Sequence, residues 1–497
     1  MIAAEKPQKV WIYSNMKPTG DIPAETGRIG LSYWMDCVLR ERDYARYDFA
    51  PEHIHDLRVA LRRCRSIADG FVAVDPHPAW KQMIGELKSL FRQLGSLRDT
   101  QVMMEWVERL APAGDEAGDT MTRYLRGQEA RFRENARRAL RDFSKKKWTS
   151  WKRQLSKRTR NLPNQEMVFR QIALERWSEM RQLHQQALRN RSHASYHRLR
   201  IVLKKFRYTI ENFLPTLYAV WGSDLKKLQD LLGEMHDLQV LWHTALSVRA
   251  LPTKELQTKW RERIKQESLL RLGRYRDKMM GSASLALVWR SGLPDSTEIK
   301  IAAMARLRAW AFFRDPDFDH SELVAKLAQQ IFDGLDSAAS LGSPSLHDAR
   351  WNLEAAALLH DVGKCLSHKR HHLASYRMIR KMSPLLGCGA EDIQIIALIA
   401  RFHRGALPRP GQKAFSAIPD EQKREIFLLC GILRLANSFD LRHQRSIQRL
   451  EIKRTDGYLQ IIAPGYSKND ASAEMIAAAR HLLEVSCKFP ILISQLP

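Results

Sequence analysis

Leucine, valine and aromatic residues recur at helical spacing through residues 30–290, alternating with arginine and lysine, and the two-residue alternation of a half-buried strand is scarce. This predicts a run of amphipathic helices. Pro51, Ser195 and Ser223 stand where helices can begin, and Asp75-Pro76 and Pro215 where they can stop. Residues 291–300, with Ser291, Gly292, Pro294, Asp295 and Ser296, read as a linker. Helical spacing then resumes. Arg449 to Ile462 alternates polar and apolar residues around Asp456-Gly457, a hairpin signal, and a last helix is predicted from about Ala471.

Charge changes the picture next. The 81 Lys and Arg residues face 55 Asp and Glu, a formal net charge of +26. Residues 1–300 hold 55 of these cations and 35 of the acids, a net of +20, and residues 301–497 hold 26 and 20, a net of +6. Such an excess favours a polyanionic partner: nucleic acid, an anionic membrane or polyphosphate. No apolar run approaches the length of a bilayer span, so a membrane partner is not expected. The first ten residues include Glu5, Lys6 and Lys9 and lack an apolar signal core. Cys37, Cys64, Cys365, Cys388, Cys430 and Cys487 form no C-x-x-C pair and read as reduced thiols of a cytoplasmic protein.

The basic half repeats itself. His55-Asp56-Leu57-Arg58-Val59-Ala60-Leu61-Arg62-Arg63-Cys64-Arg65 aligns on His197-Arg198-Leu199-Arg200-Ile201-Val202-Leu203-Lys204-Lys205-Phe206-Arg207. Leu94-Gly95-Ser96-Leu97-Arg98-Asp99 aligns on Leu232-Gly233-Glu234-Met235-His236-Asp237 at nearly the same offset, 138 (233 − 95) against 142 (197 − 55). Two matches at one offset point to a duplicated helical unit.

At about 100° per residue, His55, Arg58, Arg62 and Arg65 fall within an arc of roughly 80°, beside an apolar arc of Leu57, Leu61 and Cys64. His197, Arg200, Lys204 and Arg207 repeat the arc beside Leu199, Leu203 and Phe206, while Arg63 and Lys205 flank it and point away. Cations stacked this way repel one another, and no acid lies on the arc itself, so a facing polyanion is the expected relief. Arginine suits this role, because its planar fork grips phosphate oxygens. A solvated basic face is the plainer alternative. Segment 141–160 adds nine cations against Asp142, with Trp148 and Trp151 between, and reads as a charged helix or loop over the bundle, base stacking being the alternative.

The two motif helices resemble those of the CHAD family, the conserved-histidine α-helical domains, whose halves each carry a His-x-x-Arg-x-x-x-Arg-Arg type helix. The resemblance covers about residues 30–290 and implies two helical halves around a basic groove that binds inorganic polyphosphate. The repeats would run from about 50 to 180 and from 192 to 290, after a lead-in over 1–29.

Residues 315–440 carry the order Asp319-His320, His360-Asp361-Val362-Gly363-Lys364 and Asn437-Ser438-Phe439-Asp440. Leu353 to Leu359 reads as a buried helix that delivers His360 and Asp361, a pair able to hold a hard or borderline divalent cation. Such an ion activates water and polarises phosphate. This half, about 301–497, is similar to an HD domain, above all to the C-terminal region of the exopolyphosphatase and guanosine-pentaphosphatase family. Supporting stretches are His320 to Val324, Ile331 to Leu335, Phe402-His403-Arg404 and Leu433 to Asn437. No segment resembles that family's hydrolytic core.

The resemblance implies a divalent ion (Mg, Mn or Fe) on His320, His360, Asp361 and Asn437 or Asp440, with His360, Asp361 and Lys364 as catalytic candidates. Asn437 stands where HD enzymes place Asp, and Ala374 where related chains place His. One metal on His320, His360 and Asp361 is therefore expected rather than two. His371, His372, His403 and Arg404, with His368, Lys369 and Arg370, become phosphate-binding candidates. The expected fold class is mainly α: a duplicated helical bundle, then an all-α HD domain with a small C-terminal β-hairpin. The expected function is polyphosphate binding, at polyphosphate granules, with a phosphohydrolase or regulatory HD domain. A metal-dependent phosphohydrolase that captures its substrate through the basic half is the alternative, and a nucleic-acid binder the third.

Overall fold

The computed structural model describes residues 30–337, 348–416, 418–455, 457–469 and 472–495. The lead-in over 1–29, the turn residue Asp456 and the expected helix start at Ala471 lie outside the described residues. The first half contains α1 (Leu31–Tyr47), α2 (Pro51–Phe71), α3 (Pro78–Leu110), α4 (Glu116–Asp142), α5 (Lys145–Arg160), α6 (Gln165–Asn190), α7 (His193–Phe213), α8 (Pro215–Ser247), α9 (Lys254–Met279) and α10 (Leu285–Ser291). Proline opens α2, α3 and α8 in the first turn, where its missing N–H costs no helical bond. Ser192, not Ser195, caps α7, accepting from the Ser195 N–H at 3.3 Å. Ser223 lies inside α8 and starts nothing.

The duplication is visible in the packing. α1 to α4 pack in succession, as α6 to α9 do, and the two sets meet through α2 with α7 and α3 with α8. One core runs through both: Leu57, Leu61 and Cys64 from α2 join Leu199, Leu203 and Phe206 from α7. At its centre Phe169 and Phe213 stack with ring centroids 3.5 Å apart, and Gly70 leaves room for them, since a Cβ there would lie 2.6 Å from Phe213. A second cluster, with Trp106, Leu238 and Trp260, ties the far ends of α3, α4, α8 and α9. Trp148 and Trp151 of α5 are buried, and the Trp148 indole donates to the Met35 carbonyl at 2.9 Å, so these rings are core rather than a stacking surface.

The second half contains α11 (Ile299–Phe312), α12 (Phe318–Ser337), α13 (Ala349–Leu359), α14 (His371–Ile379), α15 (Ala390–Arg401), α16 (Asp420–Ser438), β1 (Glu451–Thr455), β2 (Tyr458–Ile462), α17 (Ser472–Cys487) and β3 (Ile491–Ser494). The expected hairpin pairs Glu451 with Ile462 through Thr455 with Tyr458. It is widened by β3, which runs parallel to β2 from Leu459↔Ile491, so the sheet has three strands. Among the described residues no helix is long and apolar enough to cross a membrane.

The segment between the halves is packed. Leu293 is buried, and a Cβ on Gly292 would meet Trp221 at 2.5 Å. α11 lies on α6, where Arg306 donates to Gln171 at 2.6 Å and pairs with Glu175. Arg314 donates to the Val74 carbonyl at 2.6 Å, beyond the end of α2. Phe213→Ala should cost about 3–5 kcal/mol of stability, and Gly70→Ala about 1–3 kcal/mol by overpacking. Denaturant midpoints for the two variants check both values.

Candidate functional site

Two clusters concentrate the chemistry. The first lies where α2 meets α7. Burial of Leu57, Leu61, Leu199 and Leu203 in one core turns the adjoining arcs toward each other. Lys204 feels Arg200 of its own helix and Arg62, Arg65 and Arg58 of α2, and with burial as the leading cause its pKa is pushed down to about 8. The Tyr208 ring receives Arg62, Lys204 and Arg207 at 5.9, 5.8 and 5.6 Å.

The second repeated motif backs the first. Arg58 lies over Gly95 and donates to the Leu94 carbonyl at 2.6 Å, and Arg200 lies 3.8 Å from where a Cβ of Gly233 would stand. These glycines let an arginine cross the neighbouring helix. Asp99 and Asp237 follow them by one turn. Burial raises the pKa of Asp99, opposed by Arg58, Arg200, Lys204 and Arg98. Burial pushes Asp237 up to about 6, with Asp99 and Glu234 adding to it and Arg200 opposing. The Asp99 side chain is nonetheless exposed to solvent. His197 and His236 lie 4.6 Å apart, and burial, then Arg200 and His197, push His236 down to about 4. The Nε of Arg62 and of Arg200 and the Nδ1 of His197 are buried without a hydrogen-bond partner.

The second cluster is built around Asp361, just beyond α13. The Nδ1 atoms of His360, His371 and His403 bond to the carbonyls of Ala357, His368 and Ala400 at 2.6, 2.8 and 2.8 Å. A carbonyl only accepts, so each Nδ1 carries a proton, and in the neutral ring each Nε2 keeps its lone pair. All three Nε2 atoms face the Asp361 carboxylate: His360 at 3.3 Å from Oδ2, His371 and His403 at 3.1 and 3.9 Å from Oδ1. The Nε2 of His320 lies 3.8 Å from Oδ2.

Lone pairs facing lone pairs at these distances repel unless a cation or proton stands between them. The Nε2 of His360 and the Oδ1 of Asp361 are buried without a hydrogen-bond partner. Lys364 supplies one charge, with Nζ 2.5 Å from Asp361 Oδ2. Although burial pushes Asp361 up, His360, His403 and Lys364 hold it well below the usual carboxylate range. The donor set therefore fits divalent cations, with His320 and His360 on one oxygen of Asp361 and His371 and His403 on the other.

Residues 35–246 match the family model of the CHAD domain. Residues 313–461 match that of Ppx/GppA phosphatase, domain III. The chain joins a CHAD domain to a Ppx/GppA domain III. The crystal structure of the CHAD domain from the plant Ricinus communis is 23% identical to it, over 53% of this chain and 88% of that one, with a TM-score of 0.37. No curated protein matches the chain significantly.

In the CHAD domain, Arg58, Arg62, Arg65 and Arg200 all come within electrostatic reach of Lys204. His55 remains exposed and His197 half-buried. The arc is not free of acids. Arg65 reaches Asp69 at 3.8 Å and the buried Arg207 reaches Glu211 at 3.6 Å, both one turn on, while Asp99 and Asp237 enter from α3 and α8. Arg63 pairs with Glu211 at 2.5 Å and with Asn212 at 3.2 Å and braces α2 on α7, whereas Lys205 is exposed.

In domain III, His371, one turn before Ala374, brings an imidazole to Asp361, and His403 joins it, so a second histidine pair stands beside the expected set of His320, His360 and Asp361. Asp440 backs His320 at Nδ1, 2.8 Å away, and Asn437 Oδ1 lies 3.1 Å from its Nε2. His372, half-buried, and the exposed Lys369, Arg370 and Arg404 remain near the rim. His443, absent from the sequence reading, lies with its ring 4.1 Å from that of His320, the planes tilted by 47°, and contacts Asp317 at 2.7 Å and Lys364 at 3.4 Å. A lone His after Asp440 carries no periodicity that would reveal this.

Gly363 and Ser375 hold the site together. Ser375 Oγ accepts from the Gly363 N–H at 2.8 Å and donates to the His360 carbonyl at 2.6 Å, and a Cβ on Gly363 would lie 2.4 Å from the His371 carbonyl. Gly363→Ala should therefore displace α14 and lower bound metal several-fold while the CHAD domain stays folded. Elemental analysis of purified protein, with circular dichroism as the folding control, checks this.

Proposed function

We propose that the chain is an inorganic polyphosphate-binding protein that holds the polyanion along the facing rows of α2 and α7, and that domain III is an accessory metal centre. The observation that carries the reading is the convergence of Lys204 with Arg58, Arg62, Arg65 and Arg200, with unpartnered donors on Arg62, Arg200 and His197. A flexible chain with one charge per phosphate can satisfy closely spaced cations that a rigid duplex, recognised through grooves, matches poorly. Such binding would also bring the protein to polyphosphate granules.

Affinity for long-chain polyphosphate should fall steeply with salt. Charge-assisted contacts are worth about 1.5–3 kcal/mol each, so replacing Arg58, Arg62, Arg200 and Lys204 by Ala should weaken binding by more than about a hundredfold with helicity retained. Wild-type affinity in that variant would refute the site, and equal affinity for duplex DNA would favour a general polyanion binder. Arg63→Ala should mainly lower stability, and Lys205→Ala should change affinity less than Lys204→Ala.

A phosphohydrolase reading of domain III rests on the Asp361 centre. A bound divalent ion there would supply Lewis-acid chemistry and an activated water. His320, His360, Asp361, His371 and His403 would hold it, and Lys364, beside them, would face an incoming phosphate. All five of these ligand-type residues are buried, with Lys364 and His443 at the exposed side, which favours slow turnover or a regulatory role. Calorimetric titration with Mn²⁺ should show binding in wild type, tighter binding in Asn437→Asp, and none in His360→Ala with Asp361→Ala, polyphosphate binding being kept in all three. Identical metal behaviour in the three proteins would reduce the cluster to a structural remnant.

A further inference from the structure

One outer face of the CHAD domain carries cations that neither the groove nor the core uses. α5 holds eight Lys and Arg residues and no acid. Three of the eight fasten it to its neighbours: Lys145 to Asp43 at 2.7 Å, Lys152 to Asp36 at 2.5 Å and Arg158 to Asp75 at 2.5 Å. Trp148, Trp151 and Leu155 are buried beneath it. Lys146, Arg153, Lys157 and Arg160 form a stripe on the other side. At about 100° per residue they fall within roughly 60°, opposite the buried arc, and all four are exposed. The stripe runs roughly 21 Å from Lys146 to Arg160 at 1.5 Å per residue. Among the described residues none of the four pairs with an acid, unlike the three that fasten the helix.

Neither stability nor solubility accounts for this stripe. Arg153 and Lys157 stand four residues apart and Lys157 and Arg160 three, so they repel along the helix. Lys145, Lys146 and Lys147 occupy the first turn, where the helix dipole disfavours cations. Other exposed helices mix their charges: α9 pairs Lys259 with Glu255 and Lys265 with Glu262, and α4 pairs Arg141 with Glu134. A single-sign row on a rigidly held helix instead projects a field toward an anion. The row is separate from the groove. α5 packs on α1 and α3. Arg158 takes Asp75 just before α3 begins at Pro78, whereas Arg58 lies over Gly95, 17 residues farther along α3 (95 − 78), roughly 25 Å at 1.5 Å per residue.

Resting on the polyphosphate reading, we propose that the outer stripe of α5 is a second polyphosphate site, which engages the part of a long chain that extends beyond the groove and so makes the protein selective for long chains. A flexible polyanion held at α2 and α7 keeps its free ends near the rest of the surface at high effective concentration, and the stripe offers them unpaired cations. Two grips on one chain multiply, whereas a chain too short to span both sites gains only one. The side chains among the four cations are Thr149, Ser150 and Gln154, so the stripe has nothing apolar to enter a membrane. With Trp148 and Trp151 buried, it has no ring on which a base could stack.

The experiment is titration of long-chain polyphosphate, tripolyphosphate and duplex DNA into the full chain and into two variants. One carries Lys146→Gln, Arg153→Gln, Lys157→Gln and Arg160→Gln. The other carries Lys254→Gln, Lys259→Gln, Arg261→Gln and Lys265→Gln at exposed positions of α9, which removes the same charge elsewhere. Glutamine is a good helix former, and circular dichroism controls for folding. The α5 variant should bind long chains about tenfold or more weakly, with a flatter salt dependence, and tripolyphosphate as wild type does. The α9 variant should follow wild type with both. Unchanged long-chain affinity in the α5 variant, equal losses in the two variants, or an equal loss for tripolyphosphate would overturn the proposal. A loss confined to duplex DNA would overturn it too, and assign the stripe to nucleic acid. Failure of wild type to bind long-chain polyphosphate at all would instead overturn the functional reading beneath it.

Discussion

The arrangement of the first half follows from one constraint: α2 and α7 must bury their apolar arcs in a single core. Leu57, Leu61 and Cys64 adjoin the cationic arc of one helix, as Leu199, Leu203 and Phe206 adjoin that of the other. Once these six share a core, the cations beside them are forced together. Burial of the apolar side chains, at about 1.5–3 kcal/mol each, outweighs repulsion of a few tenths of a kcal/mol per exposed like-charge pair. The protein relieves what remains with acids at the margins, Asp69 and Glu211, and with Asp99 and Asp237 at the centre. The result is a cluster of cations held close together by the packing of α2 on α7.

The second half solves a different problem with the same logic. Three imidazoles are turned by backbone carbonyls one turn upstream so that their lone pairs converge on a buried carboxylate. Carbonyls of this kind fix tautomer and ring orientation together, the support that metal-ligating histidines generally have. Gly363 and Ser375 make the convergence possible by letting α14 approach the loop after α13 within backbone contact. Lys364, with Nζ 2.5 Å from Asp361 Oδ2, offsets part of the electrostatic cost of the cluster.

The two centres are joined by a packed boundary. Arg306 on Gln171 and Glu175, and Arg314 on Val74, fasten α11 and the segment after it to the CHAD domain. Several desolvated arginine contacts and a buried Leu293 make this junction a fixed interface rather than a tether. A ligand that shifted α7 would press on α6 through Arg176, which bonds to the Lys205 carbonyl at 3.1 Å and to Thr209.

The sequence by itself determined what depends on local periodicity and covalent neighbours. Helical class, the duplication, the cationic arcs at three- and four-residue spacing, the His360-Asp361 pair and the hairpin around Gly457 are all written at short range. Tertiary packing decided the rest. Arg63 and Lys205 look alike in the sequence, both flanking the arc and pointing away, yet Glu211 and Asn212 turn Arg63 into a brace while Lys205 stays exposed. Trp148 and Trp151 read as part of a charged helix or loop over the bundle, with base stacking the alternative, and Met35 and the core decide against stacking. Whether His371 and His403 serve a phosphate or Asp361 depends on a contact across 42 residues (403 − 361). The same holds for β3, whose partner strand lies across α17, and for His443, whose place beside His320 no spacing rule encodes. Periodicity tells which face of a helix is buried, and only the neighbouring helix tells what that face meets.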